Sequence, residues 1–137
     1  MDIDNISKIE HFSAFVDVSL KEFCEQFSSV LSLPKMTFIS EDETESAEVN
    51  CNGIDYNISK PYKIGALNEW DDNVPKEHNF AIVLSIDKTN TDFNNNKLET
   101  IANLIATKFN TDLLYYRTWF STGFSTEKVH IFTPNKK

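Results

Sequence analysis

The side chains with the strongest intrinsic chemistry in this chain are His11, His78, His130, Cys24, Cys51 and the single arginine, Arg117. Zinc sites usually pair a His or Cys with another a few residues away. None of the three histidines has a His or Cys three or four positions distant, so no metal centre is expected. Nucleophilic catalysis needs a thiol or hydroxyl beside a base. Cys24 falls on an apolar helical stripe and Cys51 on the apolar side of an alternating strand, so both read as inert core thiols. One arginine cannot form a multi-arginine clamp for phosphate or carboxylate. Only 3 glycines are present and no G-x-S-x-G or G-x-G-x-x-G occurs, which leaves no nucleophile elbow and no phosphate-cradling loop. The run Glu41-Asp42-Glu43-Thr44-Glu45 resembles a calcium loop superficially. The sixth position from Glu41 is Ser46 rather than Gly and the twelfth is Asn52 rather than Glu, so that pattern fails. No catalytic residue, metal ligand or cofactor is expected, and the chain does not read as an enzyme.

What remains is charge. The 137 residues carry a formal −8, with a pI of about 4.8. That balance argues against non-specific nucleic-acid binding and against anionic membranes, which both select positive charge. The excess is confined to one part: residues 1–57 hold 12 acids and 3 bases, a net of −9, and the remainder is +1. Five acids, Glu41, Asp42, Glu43, Glu45 and Glu48, fall within eight residues. A second group, Glu69, Asp71 and Asp72, brackets Trp70. An acidic run is either a solvated turn or a binding surface for something basic. An acid-flanked Trp is either tucked over a sheet edge or an interface anchor ringed by carboxylates. The candidate binding residues are therefore Glu41, Asp42, Glu43, Glu45, Glu48, Glu69, Trp70, Asp71 and Asp72. One of Tyr115 and Tyr116 is a further candidate if their strand has a wet face.

The elements that must position these residues follow from periodicity. Ser19 and Glu22 have capping-box spacing, and Leu20, Phe23, Cys24, Phe27, Val30 and Leu31 form one helical stripe ending at Leu33-Pro34. Three alternating strands follow, Met36–Ser40, Ala47–Asn52 and Ile54–Ser59, with Met36 and Phe38 on one face. Glu41–Glu45 connects the first two, and Asn52-Gly53 predicts a type I′ hairpin between the last two. Residues 60–78 form a long loop with one helical turn at Ala66–Trp70. Phe80–Asp87 is the most apolar strand and is expected at the centre of the sheet. A second helix spans Asn95–Phe109, capped at Asn110. Strands at Leu113–Phe120 and Lys128–Thr133 close the chain. Ile9–Val18 fits either a strand or a short helix. The expected fold is a single α+β domain over 1–137, with an antiparallel, possibly mixed, sheet of about six strands and two main helices on one face.

Two cysteines are too few for a disulfide scaffold, no 18-residue apolar run exists, and Met1–Asn5 is acidic. A cytoplasmic protein is expected.

Phe12–Val18 with the helix after it, Leu33-Pro34 before a strand, and Glu41–Glu45 combine with several further features. These are Tyr56-Asn57-Ile58-Ser59 with Pro61-Tyr62, Asn79-Phe80-Ala81-Ile82, and Tyr115-Tyr116-Arg117-Thr118-Trp119. In this combination the chain resembles the immunity proteins of bacterial contact-dependent growth inhibition and other polymorphic toxin systems. The resemblance is spread over most of the chain rather than carried by one motif. It implies a cytoplasmic protein that binds a cognate toxin domain in a 1:1 complex and blocks its active site. The toxin is expected to be a basic nuclease, a ribonuclease first, whose cleft an acidic surface can cover. The rival resemblance is to type III secretion chaperones, which are acidic, of this length, and bind effector segments along apolar grooves as homodimers. Those chaperones end in a helix, whereas this chain is expected to end in the hairpin Leu113–Thr133.

Overall fold

The alternation between residues 36 and 61 folds as a meander. In the computed structural model, which describes residues 6–70, 74–116 and 130–134, it forms β2 (Thr37–Ser40), β3 (Thr44–Cys51) and β4 (Ile54–Pro61). Around it lie β1 (Ile6–Ala14), α1 (Leu20–Leu31), α2 (Ala66–Trp70), β5 (Phe80–Asp87), α3 (Asn95–Phe109), β6 (Leu113–Tyr116) and β7 (His130–Phe132). The sheet order is β2-β3-β4-β5-β1-β6-β7, and every described pairing is antiparallel. The α+β architecture is as expected, with seven strands instead of about six and no parallel pair. The additional strand is β1, which joins β5 to β6 through pairs such as Phe12↔Ile82 and Phe12↔Tyr115. The parts of the closing strands beyond Tyr116 and before His130 lie outside the described residues.

The core forms on one face of the sheet. Phe12, Ala47, Ile58, Phe80, Ile82, Leu84 and Ile86 point into it, under the stripes of α1 and α3. Phe23 on α1 joins three elements: its ring stacks on Phe80 at 4.2 Å and on Phe109 at 4.3 Å. One carboxylate is buried on this face among the described residues. Glu10 is fully buried on β1 and accepts a hydrogen bond from the Tyr115 hydroxyl at 2.9 Å. A buried carboxylate is tolerated only when it has such donors. Tyr115 is itself fully buried, so it lines no surface, and the side chain of Tyr116 lies outside the described residues.

The helix ends show how local chemistry sets element length. The Glu22 amide donates to Ser19 Oγ at 3.1 Å, as the capping spacing predicts. At the other end α1 stops at Ser32 rather than at Leu33-Pro34, because Ser32 turns left-handed at φ +56° and Leu33 N–H closes back on the Ser28 carbonyl at 2.9 Å. A Cβ is strained in that conformation. Ser32→Gly is therefore expected to stabilise the protein by about 0.5 kcal/mol, after allowing for the greater freedom of unfolded glycine. Urea unfolding should show a raised midpoint with an unchanged slope.

Asn52 and Gly53 both adopt positive φ, +53° and +77°, as a type I′ hairpin requires. The turn is fastened to the end of β5 and the loop after it: Asp87 N–H donates to the Gly53 carbonyl at 2.8 Å and Asn90 Nδ2 to the Asn52 carbonyl at 3.0 Å.

The second face is covered locally by residues 62–70 and 74–79. Leu67 and Val74 pack with Leu114 and Ala81 into a small cluster there, so α2 lies opposite the two main helices. Asn79 secures the return by accepting from Val16 N–H and donating to the Val16 carbonyl, both at 2.9 Å. His78 lies within 2.8 Å of Ser13 Oγ through Nδ1. Burial holds its pKa below the ordinary 6.5, against the opposing pull of Glu77 and Asp112. The fold thus prefers neutral His78, and this contribution is complete above about pH 6.5 and lost as pH falls through the depressed folded value. Between pH 7.5 and 5 the wild-type melting temperature should fall further than that of His78→Asn.

Candidate interaction surface

The acidic connection between β2 and β3 is a tight hairpin. Glu41 N–H donates to the Thr44 carbonyl at 2.9 Å, leaving Asp42 and Glu43 at the tip. The Tyr62 amide donates to the Glu43 carbonyl at 3.1 Å, which ties the exit of β4 to that tip. The chain then enters α2, beside which Lys63 Nζ pairs with Glu69 at 2.8 Å. This short path brings Trp70 back against Glu41, Asp42, Glu43 and Thr44, and these five residues line a shallow cavity of about 520 Å³.

The structure therefore brings Trp70 together with Glu41, Asp42 and Glu43. Glu69 stands exposed one residue away, engaged by Lys63. Glu48 is exposed on β3, on the same face as Glu41 but at the far end of β2, opposite Thr37. Glu45 does not belong to the group. It pairs in register with Ser40 and Lys60 on the helix-covered face, where its charge, after burial, helps push the Cys24 thiol up to about 12. Asp71 and Asp72 lie outside the described residues.

Four further apolar residues, on β2 and on the segment leading into α2, were not anticipated as surface. Trp70 is 55 % exposed, Tyr62 55 %, Ile64 90 %, Phe38 46 % and Ile39 37 %. Five of the eight large apolar side chains exposed among the described residues thus belong to β2 or to residues 62–70. Phe38 was expected to share an inward face with Met36. Met36 is buried, but Phe38 stands at the sheet margin and stays half open. The signal available in the sequence was the brevity of this strand, directly after Leu33-Pro34. Aromatic and aliphatic anchors rimmed by carboxylates have the composition of a protein-binding hot spot.

A larger groove of about 1040 Å³ opens at the other end, lined among others by Leu33, Cys51, Tyr56, Asn90, Phe93 and Lys97. Burial, with a smaller push from Cys51, raises the Tyr56 hydroxyl to about 12. The lining holds one carboxylate, Asp92, and no histidine. Among the described residues no three His, Cys, Asp or Glu side chains converge as a metal site. None of the described helices is long and apolar enough to cross a membrane.

No family model, curated protein or solved structure matches the chain.

Proposed function

We propose that the chain is an immunity protein, a cytoplasmic inhibitor that binds one basic toxin domain and covers its active-site cleft with the Glu41–Glu43 and Trp70 end of the sheet. The observation that supports this most directly is the seating of Trp70 against three consecutive carboxylates, with Tyr62, Ile64 and Ile39 also exposed on the neighbouring segments. Carboxylates steer a basic partner into encounter, and the apolar residues hold it once docked. A nuclease cleft, built to bind phosphates, supplies the complementary charge, and a ribonuclease domain is the first to test.

The triple change Glu41→Gln, Asp42→Asn, Glu43→Gln removes the steering charge from an exposed tip and should leave the thermal transition in place. With a basic secreted nuclease domain encoded beside this gene, stopped-flow association at low salt should slow by about tenfold and lose much of its dependence on salt. Unchanged association and unchanged protection would overturn the proposal.

A further inference from the structure

The two residues of β2 that point their backbone groups away from the sheet are identifiable from register. Glu41 N–H bonds to the Thr44 carbonyl, so Glu41 and Thr44 are a hydrogen-bonded pair. In an antiparallel ladder such pairs alternate. Thr37↔Glu48 and Ile39↔Ser46 are then bonded pairs, and Phe38↔Ala47 and Ser40↔Glu45 are not. The N–H and C=O groups of Phe38 and Ser40 therefore face outward, along the margin of a strand that is last in the sheet order.

Exposed edges are usually blunted by an inward charge, Lys, Pro, a bulge or a covering element. Thr37-Phe38-Ile39-Ser40 contains no Lys, Pro or charge, pairs with β3 without a register shift, and is exposed at all four residues. Phe38 stands half open on the helix side of this edge and Ile39 on the other, so an added strand would meet apolar contact on both faces.

We propose that β2 is a docking edge that captures an extended, lysine- or arginine-bearing segment of a protein partner by main-chain pairing to Phe38 and Ser40. This rests on the proposed function only for the partner's basic character. Charge selects that occupant over a second copy of the chain. Residues 35–48 carry five acids against the single Lys35, so two copies paired at β2 would join two stretches of net −4. A basic segment alternating with apolar residues meets Glu41–Glu43 beyond one end of the strand, Glu45 behind Ser40 and Glu48 behind Thr37.

The test uses the full chain and an end-blocked octapeptide alternating lysine and valine, followed by amide hydrogen exchange. Saturating peptide should slow exchange at Phe38 and Ser40 by about tenfold or more and leave Thr37 and Ile39, already bonded to β3, nearly unchanged. The same peptide N-methylated at alternate nitrogens should bind at least about tenfold more weakly, since each lost main-chain bond is felt directly. Ser40→Pro removes one outward N–H and should weaken binding similarly, with Ser40→Ala as the tolerated control. If Ser40→Pro disturbs the fold, the N-methylated peptide carries the test on the unaltered chain. No binding at millimolar peptide, equal affinity for the N-methylated form, or self-association that protects the same amides would overturn the proposal. If the basic nuclease domain binds while Phe38 and Ser40 exchange as in the free chain, edge docking fails and the charged-surface proposal stands. If those amides are protected but the triple charge variant associates normally, the reverse holds.

Discussion

Phe23→Ala is expected to destabilise the protein by about 3–5 kcal/mol, a large part of the roughly 5–15 kcal/mol that holds a domain of this kind together. Phe23 is fully buried, and its ring lies between Phe80 and Phe109 with interplanar angles of 15° and 4°. Truncation empties a slot whose walls belong to three separate elements, one of them the central strand, so the surroundings cannot collapse into it by moving one side chain. Phe109→Ala removes one wall of the slot from a half-buried position and should cost less. The double variant should show a coupling of about 0.5–1.5 kcal/mol, the value of an aromatic pair beyond its area. Urea unfolding followed by circular dichroism measures all three. A loss for Phe23→Ala under about 1 kcal/mol would mean that the stack does not organise the core.

The second large effect concerns binding. Trp70→Ala should weaken the complex with the basic partner by about 30-fold, the 2 kcal/mol typical of a Trp hot spot. Stability should stay within about 0.5 kcal/mol, because the side chain is 55 % exposed. The kinetic signature separates it from the charge variant. Removing Glu41, Asp42 and Glu43 charge slows encounter, whereas removing the indole shortens the life of the complex once formed. Surface plasmon resonance resolves the two rates, and a Trp70→Ala dissociation rate equal to wild type would exclude Trp70 as an anchor.

The parts of the fold legible in sequence were those whose local signals agree. α1 has a cap and a clean stripe, α3 a stripe between two Asn caps, and β5 an unbroken inward series, Phe80, Ile82, Leu84 and Ile86. β1 was ambiguous because one of its inward positions is Glu10, and the Tyr115 hydroxyl that makes this position tolerable lies 105 residues away. The candidate surface was legible as composition only. Acids and Trp70 could be named, but their meeting depends on the Tyr62–Glu43 main-chain bond and on α2 packing against the second face through Leu67. Glu45 was grouped with its neighbours by charge, although period two already places it on the face of Ala47. Phe38 was placed with Met36 on one face, and apolar alternation does not reveal which strand ends a sheet.

The position of β1 between β5 and β6 also bears on how the protein is made. β1 pairs with residues 80–87 and 113–116, so its ladders close only after those later residues have been synthesised. The β2–β4 meander, by contrast, closes through short loops and can form early. The nascent chain therefore carries a partly formed sheet whose open edge, at β4, must take β5 before β1 can join, and its maturation is paced by the late arrival of α3 and β6. Stalled or truncated products that end before Leu113 would lack one partner of β1 and would be the natural clients of chaperones and proteases.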